Sequence, residues 1–402
     1  MRYAIWGSEL SPYTLKLRAL LTAAAVPYRL LPEQGTRLEN MQAAWRIERG
    51  KRRRTIERWP ALDPLDEYPL VPFLIEDERR IMYDSSALAE WLDRFHPQRR
   101  GPLVPDDAAL RFVCRLIDEA FDELGLYLVH HGRWVVSATT NDAGARLARE
   151  FARLLPPGGQ PRMARRFAQR QVRRLPYLFS VAPDGLSIAG LPAELTPPAR
   201  AGFPPTHELL QEIWDGALDA VESVLTHQPF LLGARFTLAD ASVYGQLGMN
   251  LKDPTAAEHM RRRAPVTFRW LCDIRDGTHA ASDGALALSD RLRPLLELLD
   301  RTFVPLMAQN EAAYEAARAA GQTRFNEAAF NRGEALYDGS LLGRPFRSVA
   351  KTFQVRIWRD LRSAWSSLDD PAHQRIRRVM PRDMELGERN ATENTENTDH
   401  HG

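Results

Sequence analysis

The chain has few of the features that settle a function on their own. Its 402 residues include only two cysteines, Cys114 and Cys272, each within an apolar helical pattern. They form no disulfide framework and read as reduced core side chains, so a cytoplasmic location is expected. No apolar run approaches the ~20 residues a membrane-crossing helix needs, and no membrane partner is expected. No basic, apolar leader precedes the strand-like Tyr3–Trp6, so secretion is not expected either. Charge of one sign is also missing. The 54 Lys and Arg oppose 52 Asp and Glu, a net +2, which gives no global reason to expect nucleic acid. The phosphate-loop pattern Gly-x-x-x-x-Gly-Lys, the Gly-x-Ser-x-Gly elbow and the Cys-x-x-Cys pair are all absent. No metal or prosthetic group is expected.

What remains is an ordinary globular composition, 44% hydrophobic and 26% charged, in a chain long enough for two domains. The first hundred residues alternate strand and helix. Tyr3–Trp6, Pro27–Leu31, Leu70–Ile75 and Arg79–Tyr83 read as strands. Pro12–Ala25, Leu38–Arg49, Arg52–Arg58 and Asp84–Phe95 read as helices. This order predicts a four-stranded mixed sheet flanked by helices over 1–96. His96-Pro97-Gln98-Arg99-Arg100-Gly101-Pro102 is rich in breakers and marks a linker.

Beyond it the periodicity becomes helical. In Asp106–His130, Leu110, Val113, Ile117, Phe121 and Leu124 share one face, and His207–Thr226 repeats the pattern. Thr237 and Asp240 have capping-box spacing at the start of another helix. An all-α domain is expected over 103–290, with an insertion near 140–205, part of it Arg-rich and then Pro/Gly-rich. Three helical stretches are expected in an extension over 291–386, and the polar 387–402 reads as a disordered tail.

Two stretches carry candidate chemistry. Ser8-Glu9-Leu10-Ser11-Pro12-Tyr13 joins a strand to a helix, with Ser11 placed as N-cap and Pro12 at the first helical position. Val71-Pro72 enters a strand, and Asp84-Ser85 opens a helix twelve residues on. An extended backbone edge beside a helix N-terminus suits a peptide that bears a carboxylate. Each feature also has a purely structural reading, as cap or strand entrance. Ser8, Tyr13 and Tyr3 compete less well than Ser11 for a role at the turn.

In that order, with a linker and a helical domain following, these residues resemble the glutathione transferases. The resemblance is to the serine-type members, and the N-terminal part resembles their thioredoxin-like domain. It implies a two-domain transferase fold with an extra helical extension. The implied activity is attack of the glutathione thiolate on an electrophilic, mostly apolar co-substrate. By the same match, Ser11 is the candidate catalytic residue, stabilising the thiolate. Val71 and Pro72 would present backbone to the tripeptide, while Asp84 and Ser85 would take its γ-glutamyl end. Glutathione is thus expected as co-substrate, and a homodimer fits the family. The extension and insertion favour an alternative, a non-catalytic binding or assembly protein on the same fold.

Other signals are weaker. His130-His131 sit where a helix end would suit histidine, with no ligand set around them. Lys51-Arg52-Arg53-Arg54 and the arginines of 162–174 read as solvated faces, although one of the first group could meet the tripeptide's glycyl carboxylate.

Overall fold

A computed structural model describes residues 2–59, 63–97, 100–380 and 386. The N-terminal unit runs β1 (Tyr3–Trp6), α1 (Pro12–Ala23), β2 (Tyr28–Leu31), α2 (Arg37–Arg53), β3 (Glu57–Arg58), β4 (Phe73–Glu76), β5 (Arg80–Tyr83) and α3 (Ser85–Phe95). The strands lie in the order β2-β1-β4-β5-β3. β1 pairs parallel to β2 and antiparallel to β4, with Trp6 opposite Leu31 on one side and Phe73 on the other.

Alternation along the strands decides which layer each residue joins. Tyr3, Ile5, Leu74 and Met82 join the large core that also holds Leu17, Leu20, Leu88 and Leu92 of α1 and α3. Trp6, Phe73, Ile75, Ile81 and Tyr83 point to the opposite face, against Ala43 and Ile47 of α2. The sheet is thus covered on both sides. It has five strands rather than the expected four. The residues expected to continue a helix to Arg58 instead leave it at Arg53. Arg54 is left-handed, at φ 54°, and the next few residues run to the edge of the sheet beside β5.

The helical domain contains α4 (Ala108–Ala120), a wider π-helical turn at Phe121–Gly125, α5 (Leu126–His131) and a second π-helical turn at Gly132–Val136. α6 (Ala143–Glu150) and the Arg-rich α7 (Gly159–Arg174) follow, then α8 (His207–Leu225), α9 (Leu238–Leu247), α10 (Pro254–Arg263) and α11 (Pro265–Arg275). Asp240 caps α9 by accepting from Thr237 N, Thr237 Oγ1 and Leu231 N at 2.8–2.9 Å. His130 and His131 are the last two residues of α5, and burial pushes both down, to about 4 and about 3.

Among the contacts that join the domains, two involve α1. α1 packs on α9 so closely that a Cβ on Gly245 would lie 2.7 Å from Pro12 O and 2.8 Å from Lys16 Cβ. Buried Lys16 then reaches from α1 to Asp118 at 2.5 Å, Asp122 at 2.6 Å and Ser86 Oγ at 2.7 Å.

The extension contains α12 (Arg293–Arg301), α13 (Phe303–Ala319), α14 (Asn326–Phe330), α15 (Thr352–Ser366) and α16 (Asp370–Val379). It is helical apart from a hairpin, β6 (Leu336–Leu341) and β7 (Arg344–Val349), that the periodicity did not announce. Leu342 and Gly343 form its two-residue turn, both at positive φ, 50° and 73°. The mirror-image turns that join such hairpins need that conformation, and Asn-Gly is their usual signature. Leu-Gly carries only half of it. The expected tail at 387–402 lies outside the described residues. Among those described, no helix is long and apolar enough to cross a membrane.

Candidate functional site

A pocket of about 180 Å³ opens where the two domains meet. Val71, Pro72, Asp84 and Ser85 line it together, although Asp84 lies twelve positions after Pro72. Strand pairing explains the meeting. Pro72, after a cis peptide bond, leads into β4, whose neighbour β5 runs back antiparallel and delivers Asp84 to the same end of the sheet. There α3 begins, with its first residue, Ser85, in the pocket wall. Ser85 is 5% exposed. Asp84 is the N-cap, with φ 70° and ψ 102°, and its Oδ1 accepts from Ser86 N at 3.1 Å and Ala87 N at 3.3 Å.

Asp84 is already well occupied. Its Oδ2 accepts from Arg58 Nε at 2.6 Å and lies 3.5 Å from Arg356 Nη2. Arg356 Nε is also 2.7 Å from Asp66 Oδ1, an ion pair whose angle falls short of a hydrogen bond, and Arg58 is 3.4 Å from Asp66 Oδ2. Two arginines therefore face two aspartates behind the pocket wall. Burial opposes the charge on both acids. On Asp84 the arginines win and hold its carboxyl below the usual range, whereas Asp66 is pushed up by its burial.

Ser11 stands where its spacing placed it, as N-cap of α1, its Oγ 3.4 Å from Thr14 N. It is not among the residues lining the pocket; Tyr13 is. The Tyr13 hydroxyl donates to Asp122 O at 2.8 Å, so its one proton is committed, and burial drives its pKa well above the usual value. The Ser11 hydroxyl accepts its cap bond on a lone pair and keeps its proton to give. None of Lys51 to Arg54 lines the pocket.

The remaining wall was not anticipated. Asp122 and Glu123 come from the π-helical turn after α4, Glu67 from the loop before Val71, and Phe353 from α15. Burial pushes Asp122 up to about 6 and Glu123 up to about 7. Gln354 hydrogen-bonds the Glu123 carboxyl and also donates to Tyr127 Oη at 2.8 Å. Lys351, also bonded to Tyr127 Oη, is pushed down to about 7 by its burial. One signal for these acids was available. Asp118-Glu119 and Asp122-Glu123 are four buried carboxylates in a helical stretch whose other buried residues are apolar. For Phe353 and Arg356 no local signal existed.

Comparison with known proteins accords with this architecture. Residues 6–100 match the glutathione S-transferase N-terminal domain, and residues 204–271 match the C-terminal domain. The chain has the glutathione S-transferase fold. Several solved structures are similar at low identity. A β-etherase from Sphingobium sp. strain SYK-6 is 15% identical, with a TM-score of 0.41, covering 69% of this chain and 99% of its own. A glutathione S-transferase from Methylobacterium radiotolerans, solved with glutathione sulfonate, is 18% identical, with a TM-score of 0.37 and coverages of 72% and 98%. FzlA from C. crescentus is 14% identical, with a TM-score of 0.35 and coverages of 74% and 92%. No curated protein matches the chain. Of the lining residues, Val71, Pro72, Asp84 and Ser85 fall within the matched N-terminal segment, whereas Asp122, Glu123 and Phe353 fall outside both segments.

Proposed function

We propose that this protein binds glutathione in the pocket between Val71 and Ser85 and activates its thiol for attack on an electrophilic, mostly apolar second substrate. The observation that carries the reading is the convergence of the Val71-Pro72 edge and the α3 N-terminus on one pocket of a glutathione S-transferase fold. Val71 would pair its backbone with the cysteinyl unit as an added strand does. The Ser85 hydroxyl and N–H would take the γ-glutamyl carboxylate, aided by the positive end of α3. Asp84, with Arg58 and Arg356 behind it, would serve as the counter-charge toward the ammonium. Ser11 would donate its uncommitted proton to the sulfur, and the N-terminus of α1 would favour the thiolate. The thiol proton leaves to solvent, and the thiolate sulfur forms the new bond to the electrophilic carbon as that carbon's bond to its leaving group breaks, the group departing with the electron pair.

A second reading is favoured by the acidic wall. Asp122, Glu123 and Glu67 surround the same space, and negative charge there disfavours a thiolate. On this reading the protein holds glutathione without activating it.

Immobilised glutathione tests binding. Retention of the wild type and its loss on Ser85→Ala are expected; no retention at millimolar ligand removes both readings. Thiol titration of the bound tripeptide then separates them. Ser11→Ala is expected to raise the bound thiol's apparent pKa by about one unit, the loss of one charge-assisted hydrogen bond. An unchanged thiolate fraction leaves Ser11 a helix cap and favours the binding protein.

A further inference from the structure

Arg356 lies on α15, in the extension beyond both family segments; besides Asp360 and Phe353 of its own helix, it reaches Asp66 and Asp84 of the N-terminal domain. It is 4% exposed and touches Asp66 and Asp84, whose side chains are 0% and 7% exposed. Removing it leaves Arg58 facing both aspartates. Buried carboxylates in excess of their cations are costly and take up protons or rearrange.

The rearrangement would be felt at the pocket because Asp84 is conformationally demanding. A non-glycine residue at φ 70° holds that backbone only when its surroundings fix it. Here the fixing contacts are Ser86 N and Ala87 N on Oδ1 and the two arginines on Oδ2. Ser85 follows directly and inherits its direction. α15 contributes to the same pocket a second time, through Phe353.

We propose that α15 forms part of the γ-glutamyl subsite, with Arg356 as the positioning residue that neutralises the Asp66–Asp84 pair and so fixes Ser85 toward the ligand's α-carboxylate. The proposal rests on the binding reading above and extends it. The extension is a working wall of the site, and ligand occupancy and α15 docking reinforce one another, since coupling between two sites is reciprocal.

A mere anchor for the extension would behave differently, and the ligand can tell the two apart. Full-length wild type, Arg356→Gln and Arg356→Gln/Asp66→Asn are titrated calorimetrically with S-hexylglutathione and with S-hexylcysteinylglycine, which lacks the γ-glutamyl unit. Arg356→Gln is expected to weaken the first ligand about ten-fold or more while leaving the second nearly unchanged. Asp66→Asn in that background removes the surplus charge and is expected to restore most of the loss. Burial of Ile357, Trp358 and Leu361 keeps α15 docked in these variants. Amide exchange gives an independent readout, with S-hexylglutathione slowing exchange in α15 of the wild type more than in Arg356→Gln. Equal losses for both ligands, no loss, or no recovery in the double variant would overturn the proposal. A wild type that binds neither ligand fails at the earlier step and removes the binding reading with it.

Discussion

A carboxyl taken out of water keeps its proton to higher pH unless a cation or several donors compensate. Glu123 is such a group, pushed up to about 7 by burial, with Asp122 adding to the effect and Gln354 and Lys351 opposing it. The sign for stability follows. Its pKa is higher in the folded than in the unfolded chain, so the folded state binds more protons between about pH 4.5 and about pH 7, and stability falls as pH rises through that window. Glu123→Gln abolishes this contribution. The loss of stability between about pH 5 and pH 7 is expected to shrink by about 2–3 kcal/mol relative to wild type, measured by urea unfolding. Parallel profiles would show that Glu123 is not the group responsible. At this scale the sequence told only what lies close together. Val71, Pro72, Asp84 and Ser85 were legible as neighbours because one antiparallel strand pair connects them. Glu123 could have been noticed as an acid on an apolar face. Arg356 could not, since nothing in its own helix points at Asp84.

Elements were legible where a single period governs many residues. β1, β4 and β5 alternate strictly between two cores, so their placement follows from side-chain pattern alone. The edge strand Glu57–Arg58 is too short to show any period, and a basic helix running toward it masked the break at left-handed Arg54. The hairpin of the extension has a similar cause. β6 exposes Asp338 and Ser340, and its turn uses Leu342 where Asn or Asp would have signalled it. Packing of helix on helix, by contrast, depends on single residues that no period marks. Gly245 is one, because α1 and α9 touch backbone to backbone there. Alanine favours a helix over glycine by about 1 kcal/mol, yet its Cβ would lie 2.7 Å from a carbonyl oxygen that cannot move alone. Gly245→Ala is therefore expected to destabilise by about 1–3 kcal/mol, an overpacking cost that outweighs propensity. A urea midpoint at or above that of wild type would show that α1 shifts freely on α9.

The two domains are joined less by their linker than by charge placed inside the junction. Lys16 is 1% exposed and sits between Asp118 and Asp122, directly behind the helix that carries Ser85. Burial lowers a lysine's pKa, but the two aspartates prevail and raise it, so the ammonium is retained. Such a group adds little against a well-packed apolar substitute if the acids go too, whereas its removal alone strands them. Lys16→Met keeps the volume and removes the charge. Asp118, Glu119 and Asp122, mutually within 4.8 Å, would then face one another without their cation. A cost of about 3–5 kcal/mol is expected near neutral pH. The pH dependence identifies the cause. With the lysine gone, Glu119 and Asp122, both already raised by burial, rise further above their unfolded values of about 4, so the folded chain recovers stability by taking up protons as pH falls toward 5. The gap between wild type and Lys16→Met should therefore narrow on acidification, read from urea midpoints across that range. A gap independent of pH would mean that Lys16 acts through its methylenes, packed against Gly245, and that the junction is held by shape and not by charge.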